Sequence, residues 1–493
     1  MKHFFTKSKF IIILLLVTFV FRIPSLFEPY WYGDEGVYQA VGLAVRNGAM
    51  LYKDAFDNKP PLIYLLTAIT NGTMFGFRLL LMIASLGATY FFYRLCQKLI
   101  ANENSARMAT VVFAILTTVR LLEGNIANAE NFILLSTTLG FYLILSILEN
   151  KKNKKEYRKY FLAGLILSFG FLLKVPAVFD FLALYLFLLF FQDKKKFISL
   201  GKNEIALGVG YAVPILITSL YFLIRGSFSE YFNACYLQMF GYLSSWETGS
   251  HAFSPFALLK SDLVIKGIFV ATVSGLLFKK RKNLSQLMAF IPLWFVFALF
   301  GATLSGRPYP HYLLQIVPPL AIILSFFLLK KKALSLSALG LILVLSLAIV
   351  RYRFWAYPTL SYYQNFLQFA LGQKEKLAYF KYFHPNLPQM YELAEFIQAS
   401  TKETDKIFIW SDDPSLYPLS RRLPATPYTT AYHVVDLKQT AQVGKSLTKQ
   451  LVPLIIVDKN GRKFPELEAL VKTKYRRIEE FGNFLVYLRR DSW

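Results

Sequence analysis

Charged residues are scarce in this chain. Only 17% of its 493 residues are Asp, Glu, Lys or Arg, against about 25% in an average soluble domain. Hydrophobic residues make up 55%, and mean hydropathy is +0.41. That balance excludes a disordered chain and argues against a soluble multidomain enzyme. Cysteine is nearly absent. Cys96 and Cys235 stand far apart and fall in different expected compartments, so neither a disulfide framework nor a cysteine-based metal site is indicated. No HExxH motif or Cys/His cluster supports zinc, and no Gly-rich nucleotide loop, internal repeat or low-complexity linker is present. The lone Gly208-x-Gly210 lies inside an apolar run, where helix packing accounts for it. Acidic residues are the scarcer charge, 30 against 55 Lys and Arg, for a formal net charge of +25. In a soluble protein such an excess points to nucleic acid. In a membrane protein it marks the cytoplasmic loops. Placement decides between the two.

Aromatics reach 17%, with 47 Phe and 30 Tyr, as expected of helices that face lipid and an interface. Lys2, Lys7 and Lys9 precede an apolar run from Phe10 to Phe21, followed by Arg22-Ile23-Pro24 and not by a small-x-small cleavage site. The run reads as a first membrane helix that starts in the cytoplasm. Ten further apolar stretches lie near 76–96, 105–121, 130–148, 160–175, 176–191, 204–224, 262–278, 285–304, 311–329 and 333–350. They approach the about 20 residues that a ~30 Å hydrocarbon core requires. The lysine clusters 151–155, 194–196, 279–282 and 330–332 occupy every second loop. With eleven spans all of them share the side of the N-terminus, as the positive-inside rule requires. Counting Pro60–Gly76 as a span would put all four clusters outside, so that stretch is expected to be an interfacial helix opened by Pro60-Pro61.

Beyond Val350 the chain turns more polar. Strand-like runs at Lys406–Trp410, Leu454–Asp458 and Phe484–Leu488 are separated by helix-like segments at Gln389–Thr401 and Pro465–Lys474. The expected architecture is a multi-spanning α-helical membrane domain of about 11 helices over residues 1–350, followed by a small extracytoplasmic α/β domain over 351–493.

The first outer loop, residues 28–75, carries the most chemistry. Glu28-Pro29-Tyr30-Trp31-Tyr32-Gly33-Asp34-Glu35 is followed by Asp54, Asp57, Asn58 and Lys59. Two adjacent carboxylates directly after a membrane helix, beside three aromatics, form either an aromatic belt with a capping acid or a site at headgroup depth. Other outer polar residues are Lys174, a snorkelling lysine or a headgroup cation, and the turn Ser305-Gly306-Arg307-Pro308-Tyr309-Pro310-His311. Glu123, Asn125, Asn128 and Glu130 form a further cluster, with a dipole-stabilising helix acid as the plainer reading of Glu130. Tyr231, Asn233, Tyr236, Gln238, Tyr242, Trp246 and His251 resemble carbohydrate contacts, yet most of them read better as an interfacial helix.

Taken in order, these motifs resemble a family. An Asp-Glu pair after the first membrane helix, Lys59-Pro60-Pro61-Leu62 opening an interfacial helix, Arg78-Leu79-Leu80, Lys174-Val175-Pro176-Ala177 and His311-Tyr312-Leu313-Leu314 before Pro318-Pro319 look like the GT-C integral-membrane glycosyltransferases. The resemblance is to the protein O-mannosyltransferase and lipid A aminoarabinose transferase relatives. It covers about residues 10–350, and Pro414–Pro424 resembles tails of bacterial members. Lys59 stands where protein O-mannosyltransferases usually have His, no β-trefoil module is inserted and no Trp-Trp-Asp motif occurs. These departures favour a bacterial lipid- or glycan-modifying relative.

The resemblance implies inverting transfer of a sugar from a polyprenyl-phosphate donor to a lipid, glycan or protein acceptor on the outer face of the plasma membrane. It implies Asp34 as base with Glu35 beside it, and Lys59, Arg307, Lys174, Tyr309 and His311 as the donor-phosphate site. A divalent ion bridged by Asp34, Glu130 and Asp57 stays open. No nucleic-acid partner is expected. The competing readings are a transporter or flippase of lipid-linked sugars and an inactive glycan-binding relative. Asp180 is the one clear acid inside an expected span.

Overall fold

The computed structural model describes residues 2–149, 156–191, 201–238, 262–329 and 335–490. The lysine clusters 151–155, 194–196 and 330–332, together with Tyr242, Trp246 and His251, lie outside the described residues. Every apolar stretch read from the sequence falls on a helix, among them Lys2–Arg22, Met74–Leu99, Glu103–Thr118, Ala129–Glu149 and Glu156–Leu173. The set continues with Val178–Phe191, Lys202–Ile224, Asp262–Lys279, Gln286–Thr303, Val317–Leu328 and Ser335–Tyr352. Helices are the expected answer for apolar runs in lipid, where each backbone N–H and C=O must be satisfied within its own segment. Six helices among the described residues are long and apolar enough to cross a membrane, and the chain is an integral membrane protein. The stretch from Pro60 is helical only over Leu62–Ile69, eight residues. At 1.5 Å per residue that is about 12 Å, well short of a ~30 Å core.

The chain forms two compact units. The first comprises Met1–Ile23, Leu81–Tyr221 and Tyr236–Thr359. Its core is aromatic: Phe92 stacks on Phe113 at 4.2 Å, and Phe141 and Phe290 pack against the buried Trp294 at 4.7 and 5.6 Å between ring centroids. Small residues set the tightest helix contacts. A Cβ on Gly210 would lie 2.1 Å from the carbonyl oxygen of Phe161, and one on Gly164 would lie 2.2 Å from that of Leu207. Gly210 is therefore a packing glycine, where bare backbone lets two helices approach.

The second unit comprises Pro24–Leu80, Phe222–Cys235 and Leu360–Trp493. It contains a five-stranded sheet of β1 (Lys406–Trp410), β2 (Leu423–Pro424), β3 (Leu454–Asp458), β4 (Tyr475–Phe481) and β5 (Phe484–Arg489), in the order β2-β1-β3-β5-β4. β1 runs parallel to β2 and β3, and β5 pairs antiparallel with β3 and β4. Alternate side chains of the central strands enter different cores. Ile407, Ile409, Leu454 and Ile456 join Leu393, Ile397 and Tyr417, whereas Phe408, Trp410 and Ile455 join Val434, Leu447 and Leu467. A sheet covered on both faces explains why these strands read as nearly continuous apolar runs.

The stretch 28–75 packs within the same unit as the C-terminal segment. The helix Gly33–Arg46 buries ten residues. Its Ala40 shares a core with Tyr362, Leu416 and Ile456. Phe56 N–H donates to the carbonyl of Pro427 at 2.8 Å.

Candidate functional site

In the second unit the helix Gly33–Arg46 begins directly after Tyr32, with Asp34 and Glu35 in its first turn, where carboxylates complement the helix dipole. Consecutive helical residues point about 100° apart, so the two acids meet different surroundings. Asp34 is 36% exposed and accepts a hydrogen bond from the Tyr38 hydroxyl, one helical turn on, at 3.2 Å. Glu35 is fully buried. Both of its oxygens accept from the Arg78 guanidinium, from Nε at 2.8 Å and from Nη2. The same guanidinium meets Glu28 Oε2 at 2.8 Å and donates to the Ser25 carbonyl at 2.9 Å. Glu28 in turn accepts from Trp31 Nε1 at 2.7 Å and from the Tyr362 hydroxyl at 2.6 Å.

Both Glu35 oxygens are thus engaged in a forked, buried ion pair with Arg78, which ties down the first turn of the helix. Sequence reading noted Arg78 only as a motif residue. A lone arginine in the first turns of an apolar helix is the signal that a buried acid must lie nearby.

Lys59 is the hub of the accessible cluster. Its Nζ lies 3.8 Å from Asp34 Oδ2, 3.9 Å from Asp57 Oδ2 and 4.8 Å above the Tyr38 ring. Its backbone is pinned as well: its N–H donates to the Tyr64 hydroxyl at 3.2 Å, and its carbonyl accepts from the Tyr52 hydroxyl at 2.9 Å. Asp57 is 1% exposed and accepts from the Tyr64 hydroxyl at 2.6 Å and from the Asn58 N–H at 2.8 Å. His433, on the short helix Ala431–Asp436, brings its Nε2 to 3.4 Å from Asp57 Oδ1. Burial pushes the His433 pKa down, against the opposing pull of Asp57. Sequence reading did not single out His433, because nothing within 350 residues of Asp57 in the chain marks it.

Asp34 and Asp57 lie in the second unit and Glu130 in the first. Among the described residues no three His, Cys, Asp or Glu side chains converge as metal ligands. The Lys59 ammonium lies within 4 Å of both Asp34 and Asp57.

The first unit holds its own polar cluster. Glu130, in the first turn of Ala129–Glu149, pairs with Lys174, whose Nζ lies 4.0 Å from the Tyr312 ring centroid. His311 Nδ1 contacts Glu123, and its Nε2 lies 3.9 Å from Glu130 Oε1. Tyr309 stacks on His311 at 5.7 Å. Glu123 has a left-handed backbone (φ 58°), which turns its side chain back into the cluster. Arg307 sits on the turn after Gln286–Thr303, its N–H donating to Ser305 Oγ at 3.4 Å, beside Gly306 at φ 66°. Asp180, in the first turn of Val178–Phe191, accepts from Trp294 Nε1 at 2.7 Å and from Gln315 Nε2 at 2.9 Å, one bond to each oxygen.

Three comparisons bear on this arrangement. Residues 59–224 match the model of the dolichyl-phosphate-mannose-protein mannosyltransferase family. No curated protein sequence matches the chain. Among solved structures, the chain is similar to ArnT from Cupriavidus metallidurans bound to undecaprenyl phosphate, with 14% identity and a TM-score of 0.55 over 98% of this chain and 99% of that one. The apo state of ArnT gives a TM-score of 0.56 at 13% identity, covering 98% of each chain. An archaeal oligosaccharyltransferase, AglB from Archaeoglobus fulgidus, is matched at 12% identity and a TM-score of 0.48, over 98% of this chain and 75% of that one.

Proposed function

From the premise that the chain has the fold of the GT-C integral-membrane glycosyltransferases, we propose that it moves a sugar from a polyprenyl-phosphate donor to a hydroxyl-bearing lipid, glycan or protein acceptor. In this reading the reaction takes place on the outer face of the plasma membrane, with the N-terminus cytoplasmic and about eleven spans. The anomeric configuration is inverted. The observation that carries the reading is the Asp34–Lys59 pair. It presents a part-exposed carboxylate at a helix N-terminus with an ammonium 3.8 Å away, on a scaffold otherwise closed by the Glu28–Arg78–Glu35 pairs.

Asp34 takes the proton of the acceptor hydroxyl as the oxygen attacks the anomeric carbon, and the bond to the carrier phosphate breaks on the opposite face. The Tyr38 hydroxyl, bonded to Asp34 Oδ2, orients that carboxylate. Lys59 stabilises the negative charge that builds on the departing phosphate. Lys174, Arg307, Tyr309 and His311 remain the donor-phosphate candidates of the first unit, although Lys174 must exchange its carboxylate partner Glu130 for phosphate. The undecaprenyl phosphate named with ArnT supports a carrier of this class. For a transporter, Asp180 would be the coupling acid. Its two hydrogen bonds and full burial make it a packing residue instead.

The test is sugar transfer by the purified chain in lipid, supplied with polyprenyl-phosphate sugars and lipid acceptors bearing free hydroxyls. Asp34→Asn is expected to lower transfer by about 10²–10⁴-fold with unchanged thermal stability. Full transfer by the variant would remove Asp34 as the base.

A further inference from the structure

Lys59 stands ahead of Pro60-Pro61 and the helix Leu62–Ile69, where side chains, not a helix ladder, meet its polar backbone groups. Three buried side chains do so. The Tyr64 hydroxyl accepts from its N–H at 3.2 Å, while the Tyr52 hydroxyl at 2.9 Å and the Cys235 thiol at 3.4 Å donate to its carbonyl. The Tyr64 hydroxyl also donates to Asp57 Oδ2 at 2.6 Å, so one group holds both the Lys59 backbone and a carboxylate partner of its ammonium. Tyr52 reaches the carbonyl from a strained backbone. Its φ is 72°, in the left-handed region that favours glycine and penalises a bulky side chain. Among the described residues it is the one aromatic with a positive φ. Phe222 and Tyr231 hold it there. Their rings stack on each other at 4.5 Å and lie 5.2 and 5.6 Å from the Tyr52 ring, between centroids. Such strain persists only where the surroundings outweigh it, and it gathers at functional sites.

We propose that Tyr52 and Tyr64 are positioning residues for sugar transfer, their hydroxyls clamping the Lys59 backbone so that its ammonium is placed before the donor bond breaks. Tyr52 is 3% and Tyr64 0% exposed, so neither reaches a substrate and each acts through the lysine. A residue before proline is already restricted to extended backbone. Fixing its N–H and carbonyl as well sets the direction in which the side chain leaves. The Lys59 ammonium then stands within 4 Å of Asp34 and Asp57 and 4.8 Å from the Tyr38 ring centroid. A lysine otherwise carries its charge on a flexible four-carbon stem, whereas a cation that meets developing charge is most effective when it needs no rearrangement at the moment of reaction. The inference rests on the proposed role of Lys59 at the departing phosphate.

The test is a cycle of four full-length proteins: the parent, Tyr52→Phe, Lys59→Gln and the double variant. Each is assayed for transfer from the polyprenyl-phosphate donor and for thermal melting. Tyr52→Phe keeps the ring among Phe222 and Tyr231 and removes one donor. It should lower kcat about 3–10-fold, the worth of one hydrogen bond, with the donor KM within about twofold of the parent. In the Lys59→Gln background the same substitution should change kcat by less than about twofold. Tyr64→Phe replaces it in the cycle should Tyr52→Phe fail to fold, with the same expectations. A cryo-EM structure of the folded variant gives a readout without substrate: the Lys59 ammonium should no longer lie within 4 Å of both carboxylates. An unmoved ammonium, a parental kcat with only a lowered melting temperature, or an equal loss in both backgrounds would each overturn the positioning role while Lys59→Gln stays impaired. Parental transfer by Lys59→Gln would overturn the reading of Lys59 itself, and this inference with it.

Discussion

Arg78→Met is the sharpest test of how this chain separates structure from chemistry. The guanidinium holds two carboxylates, Glu28 and Glu35, and all three side chains are 0% exposed. Methionine keeps much of the volume and removes the charge, which leaves two buried carboxylates facing each other without a counterion. Removing one partner of a buried ion pair typically costs about 3–5 kcal/mol, a large share of the about 5–15 kcal/mol that holds a domain folded. For a unit of this size about 2–4 °C accompanies each kcal/mol, so the melting temperature should fall by about 6–20 °C. The assay is fluorescence-detected thermal melting of the purified chain in detergent. The combined variant Glu28→Gln, Glu35→Gln, Arg78→Met carries no buried charge at this position and should recover most of the loss, because a neutral replacement of a buried pair is often nearly neutral in stability. An Arg78→Met protein that melts within about 2 °C of the parent would refute the anchoring role. So would a combined variant no more stable than the single one.

Other outcomes follow from the same geometry. Glu35→Gln should lower the melting temperature while the remaining folded enzyme keeps its turnover, the reverse of Asp34→Asn; a turnover loss without destabilisation would return Glu35 to the chemistry. Lys59→Gln should lower kcat more than it raises the donor KM, as measured by initial rates against donor concentration, since its ammonium is proposed to meet charge that builds on the phosphate only as the bond breaks. His433 is held neutral by burial, with its folded pKa below the usual value. The unfolded chain therefore takes up a proton first as pH falls, and stability is full above about pH 6.5 and declines below it. A His433→Phe variant should lose that slope in melting curves taken between about pH 5 and 7. Gly210→Leu would press a side chain into the Phe161 carbonyl, where a Cβ alone has 2.1 Å. It should destabilise the first unit by about 1–3 kcal/mol, readable as lowered melting temperature and yield.

The helices were legible because apolar length is a local property. Each expected stretch lies on a helix, and the eight-residue extent of Leu62–Ile69 agrees with its exclusion from the spans. Three central strands were legible for the same reason, being short runs of Ile, Val, Phe and Leu. β4 was not: Tyr475–Phe481 is a charged edge strand, paired only with β5, and charge on an edge masks the strand pattern. Asp34 and Lys59 were legible as candidates from the first loop and its proline pair. Their neighbour His433 was not, because it arrives from a different stretch of chain.

By itself, then, the sequence determined which segments are apolar helices, where the lysines cluster and which loop concentrates acids beside a cation, since composition and spacing act over a few residues. Only the tertiary structure decided that two adjacent acids meet different surroundings. A helix turns by about 100° per residue, which sends Glu35 into the interior against Arg78 and leaves Asp34 at the accessible side with Lys59. It also decided that the segment 28–75 and the C-terminal residues form one unit, because the apolar face of Gly33–Arg46 is completed by residues more than 300 positions away.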